Sequence, residues 1–211
     1  MTLAYDPAVA LEHLRANDPT LGPLLDLVPF TLEPPMQRSV YEYLVRSIVS
    51  QQLSVKAAHT IFDRFVDLFD GPRFPLPTAV LAEDDERLRS AGLSRSKVAA
   101  IRDLSEKTAA GVLPEEAEMG TLSDDELIER VTIVRGIGRW TVEMLLIFRL
   151  GRPDVLPVDD LGVRKGFAVT YGTDSPARAA QLTAHSELWR PYRSVASWYM
   201  WRALETPVPA Q

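Results

Sequence analysis

Hydrophobic residues recur every three or four positions along most of the chain, the spacing that places them on one face of a helix. From Gln37 to Ser50, for example, Val40, Leu44 and Ile48 share a face that would pack inward. The same spacing predicts helices over 55–69, 78–82, 84–90, 96–110, 124–134, 139–150 and 161–169, another that starts at Asp174-Ser175-Pro176, and a last one from Arg190-Pro191 through Leu204. No segment alternates between apolar and polar residues as a half-buried strand would. The pattern therefore predicts an all-α protein.

Two of these helices are joined by a turn built from glycine. Ser123 and Glu126 have the spacing of a capping box at the start of helix 124–134. Gly136-Ile137-Gly138 then joins that helix to helix 139–150. Glycine permits backbone angles closed to other residues, so the turn can be tight with its N–H groups pointing outward. Such groups at a helix N-terminus favour a bound phosphate, although Gly-x-Gly before a helix is on its own a common turn.

A pair of carboxylates, Asp159 and Asp160, follows the second of these helices after a loop rich in glycine and proline. Aspartate is a preferred helix cap, so one carboxylate can cap the helix that begins at Leu161 while the other projects into a cleft. A carboxylate a short way along the chain from a phosphate-binding turn suggests an enzyme that acts on a nucleic acid. This combination is much more specific than either part.

The net charge argues against a DNA-binding protein, and the distribution of charge softens the argument. The chain carries a formal charge of −6 and has a pI near 5.2, whereas a DNA-binding domain usually has a basic face. Acidic residues crowd into 83–86 and 115–129, while 135–152 holds four arginines against the single acid Glu143. Since the local field matters more than the sum, we expect modest DNA affinity with a strong salt dependence.

Other classes are disfavoured by what the sequence lacks. It has no cysteine, which excludes disulfides, thiolate metal sites and a cysteine-ligated iron–sulfur cluster. The three histidines are scattered, so no catalytic metal site is indicated. No apolar run is long enough to span a membrane, and the N-terminus lacks the pattern of a signal peptide. We therefore expect a soluble, monomeric, cytoplasmic protein, associated with the nucleoid if bacterial, with no membrane partner.

The segment RGIGRWTVEMLLIFRLGRPDVLPVDDLG at 135–162 resembles the signature of the helix-hairpin-helix DNA glycosylase superfamily, above all its DNA-3-methyladenine glycosylase II branch. Further matches to that branch are SIVSQQLSVKAA at 47–58, LPVDDLGVRKGF at 156–167 and LWRPYRSVASWYMWR at 188–202. The resemblance implies a compact form without the N-terminal β-domain of larger bacterial members. It also implies two helical lobes with a cleft between them: 37–155, with the hairpin at about 124–150, and 1–36 together with 160–211.

The resemblance further implies an N-glycosidic hydrolase that excises alkylated purines from double-stranded DNA in base excision repair, without a required cofactor. Asp160 matches the catalytic carboxylate, and Asp159 matches a supporting position. A fixed carboxylate near C1′ stabilises the oxocarbenium character of the transition state and can orient or deprotonate the attacking water. Branches that also cut the strand carry a lysine at the position of Trp140. The implied enzyme is therefore monofunctional and leaves an abasic site.

Aromatic residues are the candidates for the base pocket. Trp140 offers a flat face to a flipped base, and a cationic alkylated purine would be attracted to the indole; a buried core tryptophan is the alternative. Trp201 matches a pocket-wall position, and Tyr43 is assigned to the pocket by analogy. Most of the other aromatic residues near Trp201 are expected to be core: Trp189, Trp198 and Tyr199.

The resemblance also assigns the residues that would hold the DNA. Gln52 matches the intercalating position, where the best match has leucine, and Leu53 is the neighbouring candidate; the alternative is that Gln51 and Gln52 only link two helices. The implied phosphate-binding hairpin comprises Arg135, Gly136, Ile137, Gly138, Arg139 and Thr141. A structural Na⁺ or K⁺ is implied at the backbone carbonyls of Thr132, Val134 and Ile137.

Three other functions compete with alkylpurine excision. A glycosylase for deaminated or oxidised bases is disfavoured, but not excluded, by Trp140 and Trp201. A non-catalytic helix-hairpin-helix DNA-binding module would have no need of Asp160. A helical protein-interaction domain would suit the acidic charge, and DNA binding that weakens with added salt would exclude it.

Overall fold

The computed structural model describes residues 3–32, 38–71 and 74–206. Within these ranges the chain forms thirteen α-helices and two short 3-10 helices and no strand, which confirms the all-α prediction. The helices are α1 Pro7–Asn17, α2 Gly22–Leu27, α3 Val40–Ser50, α4 Val55–Val66, α5 Pro77–Ala82, α6 Asp85–Ser90, α7 Arg95–Ala109, α8 Glu116–Met119, α9 Asp124–Thr132, α10 Arg139–Phe148, α11 Leu161–Tyr171, α12 Ala179–His185 and α13 Arg193–Ala203, with 3-10 turns at Pro19–Leu21 and Ser186–Trp189. None of the helices in the described ranges has both the length and the hydrophobicity needed to cross a membrane.

The chain divides into two compact units. One, which we call the middle unit, is Gln37–Leu145; the other, the terminal unit, combines Met1–Met36 with Leu146–Gln211. The predicted lobe boundary at 36 and 37 lies outside the described residues, and the predicted division into domains stays a prediction.

Serine caps and apolar faces build the middle unit. Ser39, Ser54 and Ser94 each accept a hydrogen bond from a backbone N–H in the first turn of α3, α4 and α7, and Ser123 with Glu126 forms the predicted capping box of α9. Each cap satisfies N–H groups that have no partner within the helix. The core of the unit is formed by fully buried side chains from α3, α4, α7 and α9: Leu44, Ile48, Phe65, Ile101, Leu104 and Leu127.

A buried aromatic and aliphatic cluster fills the terminal unit. Trp189, Tyr199 and Met200 are completely buried there together with Leu14 and Leu21. Trp198 is 6% exposed, so the prediction that Trp189, Trp198 and Tyr199 belong to the core is confirmed.

One buried carboxylate in the terminal unit connects its N-terminal segment to its C-terminal segment through hydrogen bonds. Asp18 is 3% exposed, and its Oδ2 accepts from Tyr171 Oη at 2.5 Å and Trp189 Nε1 at 2.8 Å and lies 2.7 Å from His185 Nε2. Although burial acts in the opposite direction, the bonds from His185, Tyr171 and Trp189 hold the pKa of Asp18 below its usual range. A buried carboxylate with such partners escapes the cost of an unpaired charge.

Most predicted helix boundaries agree with the structure to within two residues and three differ by three or more, and the prediction that a helix starts at Gln37 lies outside the described residues. Helix α4 ends at Val66 instead of Phe69. The segment around Pro176 does not start a helix, because Ala177 is buried and bonds Arg164 of α11 through both its N–H and its carbonyl oxygen. The last helix begins at Arg193, after the 3-10 turn that ends at Trp189.

Candidate active site

Asp160, the predicted catalytic residue, is held in place by hydrogen bonds from α11 and α13. It is the N-cap of α11, and its Oδ1 accepts from the Val163 amide at 2.8 Å. The same oxygen accepts from Trp201 Nε1 at 2.9 Å. Asp160 is half-buried and Asp159 is exposed. The cap is therefore Asp160 itself, so the capping residue and the predicted catalytic residue are the same aspartate.

Two glycines on one face of α11 let α13 come close enough for Trp201 to reach Asp160. A Cβ at Gly166 would lie 1.8 Å from the Met200 carbonyl oxygen, which is far inside contact distance. A Cβ at Gly162 would lie 2.8 Å from Trp201 Cδ1 and 3.0 Å from Asp160 Oδ1. Residues four apart lie on the same helix face, so the two glycines form a continuous groove for α13. The Gly-x-x-x-Gly spacing in LGVRKGF is the sequence signal that could have predicted this close contact.

The aromatic candidates differ in their surroundings. Trp201 is half-buried, with its ring 5.5 Å from that of Phe148. Trp140, in the first turn of α10, is 51% exposed, which excludes the alternative that it is a buried core residue. Tyr43 is half-buried, and burial raises the pKa of its phenol to about 12. The Tyr43 hydroxyl therefore stays protonated at neutral pH.

The two glycines of the hairpin have different roles. Gly136 has a φ of +77°, a conformation that favours glycine, and the turn is closed by a bond from the Ile137 amide to the Val134 carbonyl at 3.1 Å. Gly138 has no positive φ, and a Cβ there would meet nothing within 4 Å. The turn therefore requires Gly136, while Gly138 leaves the backbone at the start of α10 uncovered by a side chain. The expectation that both glycines serve special backbone angles is wrong for Gly138.

Other members of the predicted phosphate-binding set are partly used within the protein. Thr141 is buried, and its amide is used within the turn because it donates to the Gly138 carbonyl at 3.0 Å. The Arg135 amide donates to Asp103 Oδ2 at 2.7 Å. Arg139 is exposed and lies 3.0 Å from Glu143 and 3.7 Å from Asp125. The charge of Arg139 is therefore partly balanced by these two acids.

The predicted cation site rests on backbone carbonyls. The Val134 carbonyl already accepts from Ile137, and a carbonyl oxygen has a second lone pair that can bind an ion. Thr132 is the last residue of α9, where carbonyls have no partner within the helix. Among the described residues, no group of three or more His, Cys, Asp or Glu side chains could hold a metal ion. The cation assignment depends on none of these side chains and stays a prediction.

The predicted intercalating residues lie in the loop between α3 and α4, which we call the 51–54 loop. Gln52 is exposed, with a φ of +57°, and Leu53 is 37% exposed. Gln51 Nε2 donates to the carbonyl of Gly136 in the hairpin at 2.9 Å. Gln51 therefore does more than link two helices, and it connects the two segments that were predicted to contact DNA.

Comparison with known proteins places this architecture in a family. Residues 45–191 match the HhH-GPD superfamily base excision DNA repair proteins. The chain belongs to this family.

Individual relatives agree with that assignment. DNA-3-methyladenine glycosylase 1 of Schizosaccharomyces pombe is 42% identical over 166 residues, which cover 79% of this chain and 73% of the relative. A solved structure of a 3-methyladenine DNA glycosylase from the same yeast, in complex with abasic DNA, has a TM-score of 0.84 at 37% identity and covers 96% of this chain and 100% of that chain. A DNA-3-methyladenine glycosidase from Bacillus halodurans has a TM-score of 0.85 at 34% identity, covering 97% and 92% of the two chains.

Proposed function

We propose that this protein is a monofunctional DNA glycosylase that excises alkylated purines of the 3-methyladenine type and leaves an abasic site. The observation that carries the proposal is the Asp160 carboxylate, fixed at the N-terminus of α11 by Val163 and Trp201. The relatives named DNA-3-methyladenine glycosylase support the reaction and the substrate class.

Asp160 suits the chemistry of glycosidic bond cleavage. As the bond from C1′ to the base nitrogen breaks, positive charge develops on the sugar, and a carboxylate nearby stabilises it. The Val163 amide and the Trp201 indole both donate to Oδ1 of Asp160, so the orientation of the carboxylate is set before substrate binds. A preorganised charge of this kind does not have to reorient during the reaction.

Base recognition is assigned to exposed aromatic surface. The target base must leave the duplex, and an alkylated purine is cationic, so it is attracted to the face of an indole. Trp140 is 51% exposed and can offer such a face, with Trp201 and Tyr43 as further pocket residues and Asp159 as a supporting acid. Because Trp140 occupies the position where lyase branches carry lysine, no Schiff base forms there and the strand is not cut.

The hairpin is assigned to phosphate binding on double-stranded DNA. The exposed residues Gly136, Gly138 and Arg139 with the Arg135 side chain form this surface, and Ile137 and Thr141 support it from inside. We propose that the protein binds DNA as a monomer, in the cytoplasm, and that a Na⁺ or K⁺ at the carbonyls of Thr132, Val134 and Ile137 bridges to phosphate. The solved relative in complex with abasic DNA supports the DNA-binding part of this proposal.

The test is release of free bases from a methylated duplex, resolved by chromatography, with the unmethylated duplex as control. We expect 3-methyladenine in the soluble fraction and an intact strand that breaks only after alkali. Release of oxidised or deaminated bases instead would favour a different lesion class. Tight binding without release of any base would favour a non-catalytic module, and borohydride trapping of a protein–DNA adduct would contradict the monofunctional assignment.

A further inference from the structure

The 51–54 loop holds a strained backbone. Gln52 has a φ of +57° and is the only non-glycine residue with a positive φ among the described residues. This conformation is uncommon for a residue with a Cβ, and such strain persists only where the surrounding structure holds it. The contacts around the loop should therefore show what fixes it.

Lys97 bonds the loop from one side. Its Nζ, at the start of α7, donates to the Val49 carbonyl at 2.7 Å and to the Gln51 carbonyl at 2.9 Å. These carbonyls lie at the end of α3, where backbone oxygens have no partner within the helix and a cation is favourably placed. The two bonds span the residues immediately before Gln52, so they constrain the chain where it enters the left-handed conformation.

Gln51 bonds the loop from another side. Its Nε2 donates to the Gly136 carbonyl at 2.9 Å, which connects the loop to the hairpin. The loop, the start of α7 and the hairpin line a cavity of about 460 Å³. Lys97 and Gln51 are both among its lining residues. The bonds from Lys97 and Gln51 therefore fix the loop where it borders this cavity.

We propose that Lys97 is a positioning residue for DNA base flipping: with Gln51, it fixes the 51–54 loop so that Gln52 and Leu53 fill the gap left by the flipped base. This inference rests on the proposed glycosylase function. Lys97 acts here through the loop and has no direct contact with the reacting atoms. Its role is to remove the entropic cost of ordering the loop when DNA binds.

The test compares Lys97→Met, which keeps the length of the side chain and removes its donors, with Lys97→Arg, which keeps a cation and donors. Each variant is assayed on one alkylated base in two duplexes, one with the lesion opposite thymine and one with it opposite an abasic site. In the second duplex no base pair has to be broken, so an intercalating side chain contributes less to flipping. For Lys97→Met we expect kcat/KM to fall about ten- to a hundredfold on the paired lesion, the size typical of a misplaced positioning group. On the unpaired lesion we expect a loss of no more than about threefold, with Lys97→Arg recovering most of the activity.

A direct readout of flipping accompanies the kinetics. With 2-aminopurine beside the lesion, we expect Lys97→Met to give a smaller fluorescence rise on binding than the wild type does. Equal losses of kcat/KM on both duplexes would overturn the proposal, because an intercalating side chain should matter less for a base that is already unpaired. Weaker binding to undamaged DNA with a shallower salt dependence would also overturn it, since Lys97 would then contact phosphate.

A second variant keeps the proposal testable if Lys97→Met does not fold. Gln51→Met removes only the bond to the Gly136 carbonyl, and we expect the same selective loss on the paired lesion. If Gln51→Met lost no activity on either duplex, the polar positioning of the loop would be refuted. Should the wild type release no base from any substrate, the proposed function fails, whereas the fluorescence comparison still decides whether Lys97 controls the loop.

Discussion

The Asp160 region of the terminal unit and the hairpin region of the middle unit are held by different forces. Asp160 is positioned by two closely packed helices, α11 and α13, whose contact depends on Gly162 and Gly166. The hairpin and the 51–54 loop depend on polar bonds instead, from Lys97 and Gln51 to carbonyl oxygens and from the Arg135 amide to Asp103.

This difference matches what each region would have to do. A carboxylate that stabilises developing charge must be fixed to within a fraction of an ångström, and close packing of helices provides that precision. A surface that receives DNA must present N–H groups and side chains to a partner, and hydrogen-bonded loops leave them accessible. Mutations in the first region should therefore affect catalysis and stability, and mutations in the second should affect DNA binding.

The largest expected effect is that of Asp160→Asn. We expect base release to fall by about a thousandfold or more, because the transition state loses an opposite charge. The fold should survive, since asparagine is also a good N-cap and can accept from both Val163 and Trp201. The measurement is single-turnover base release beside a DNA-binding titration, with Asp159→Asn as the matched control. If Asp160→Asn remained active and Asp159→Asn did not, the catalytic assignment would move to Asp159.

Gly166→Ala should break the packing on which the Asp160 region depends. The new methyl group would lie 1.8 Å from the Met200 carbonyl, so α13 must move. We expect a loss of about 3 kcal/mol in the free energy of unfolding, at the upper end for an overpacked core, measured by urea denaturation. Gly138→Ala is the control, since its Cβ would meet nothing within 4 Å and its φ is not positive. A Gly166→Ala protein as stable as the wild type would show that the close helix contact is dispensable.

Trp201→Phe separates the hydrogen bond to Asp160 from the aromatic ring. The variant keeps a ring beside Phe148 and removes the Nε1 donor. Hydrogen bonds to charged groups contribute about 1.5–3 kcal/mol, so we expect kcat to fall roughly ten- to a hundredfold with little change in DNA affinity. Single-turnover rates at saturating enzyme measure this. Unchanged kcat with weaker discrimination between lesions would instead indicate that Trp201 serves only as a pocket wall.

Gly138→Val is a substitution in the hairpin that should weaken DNA binding without destabilising the fold. A Cβ at Gly138 meets no protein atom within 4 Å, so the fold should tolerate valine, while a phosphate could no longer approach the backbone. We expect affinity for damaged and undamaged DNA alike to fall by about tenfold, because phosphate contacts position the protein without choosing the base. Trp140→Ala is the counterpart, with binding to undamaged duplex near normal and base release impaired. A Gly138→Val protein that changed lesion preference alone would show that the hairpin does not bind phosphate.

The smallest expected effect is the loss of stability when Asp103 is protonated at low pH. Although burial acts in the opposite direction, bonds from the Arg135 amide and Lys107 hold the pKa of Asp103 below its usual range. The Asp103 carboxylate therefore stabilises the hairpin above its unfolded pKa of about 3.9, and this contribution is lost as the pH falls through the lower folded value. We expect Asp103→Asn to reduce the loss of stability between pH 5 and about pH 3, measured by thermal unfolding. An unchanged pH profile would show that Asp103 does not support the hairpin in this way.

The helical class of the protein and the location of its main motifs can be predicted from the amino-acid sequence alone. The three- and four-residue spacing of apolar side chains predicts helices without knowledge of the tertiary fold, because amphipathicity is a local property of the chain. The capping box at Ser123 and the hairpin turn at Gly136 follow for the same reason, since each depends on residues within a few positions of one another.

The contacts that hold the candidate site residues, in contrast, depend on the tertiary fold. The Asp160–Trp201 bond joins residues 41 positions apart, and the Lys97 bonds to Val49 and Gln51 span 48 and 46 positions. No local pattern encodes such pairs, because they depend on how closely two helices approach and on which way a loop turns. The segment before α12 has the same origin, since Ala177 forms hydrogen bonds with Arg164 and the helix predicted from Asp174-Ser175-Pro176 begins only at Ala179. Contacts distant in sequence form only when the whole unit packs, and that packing is what turned a capping aspartate into a carboxylate of fixed orientation.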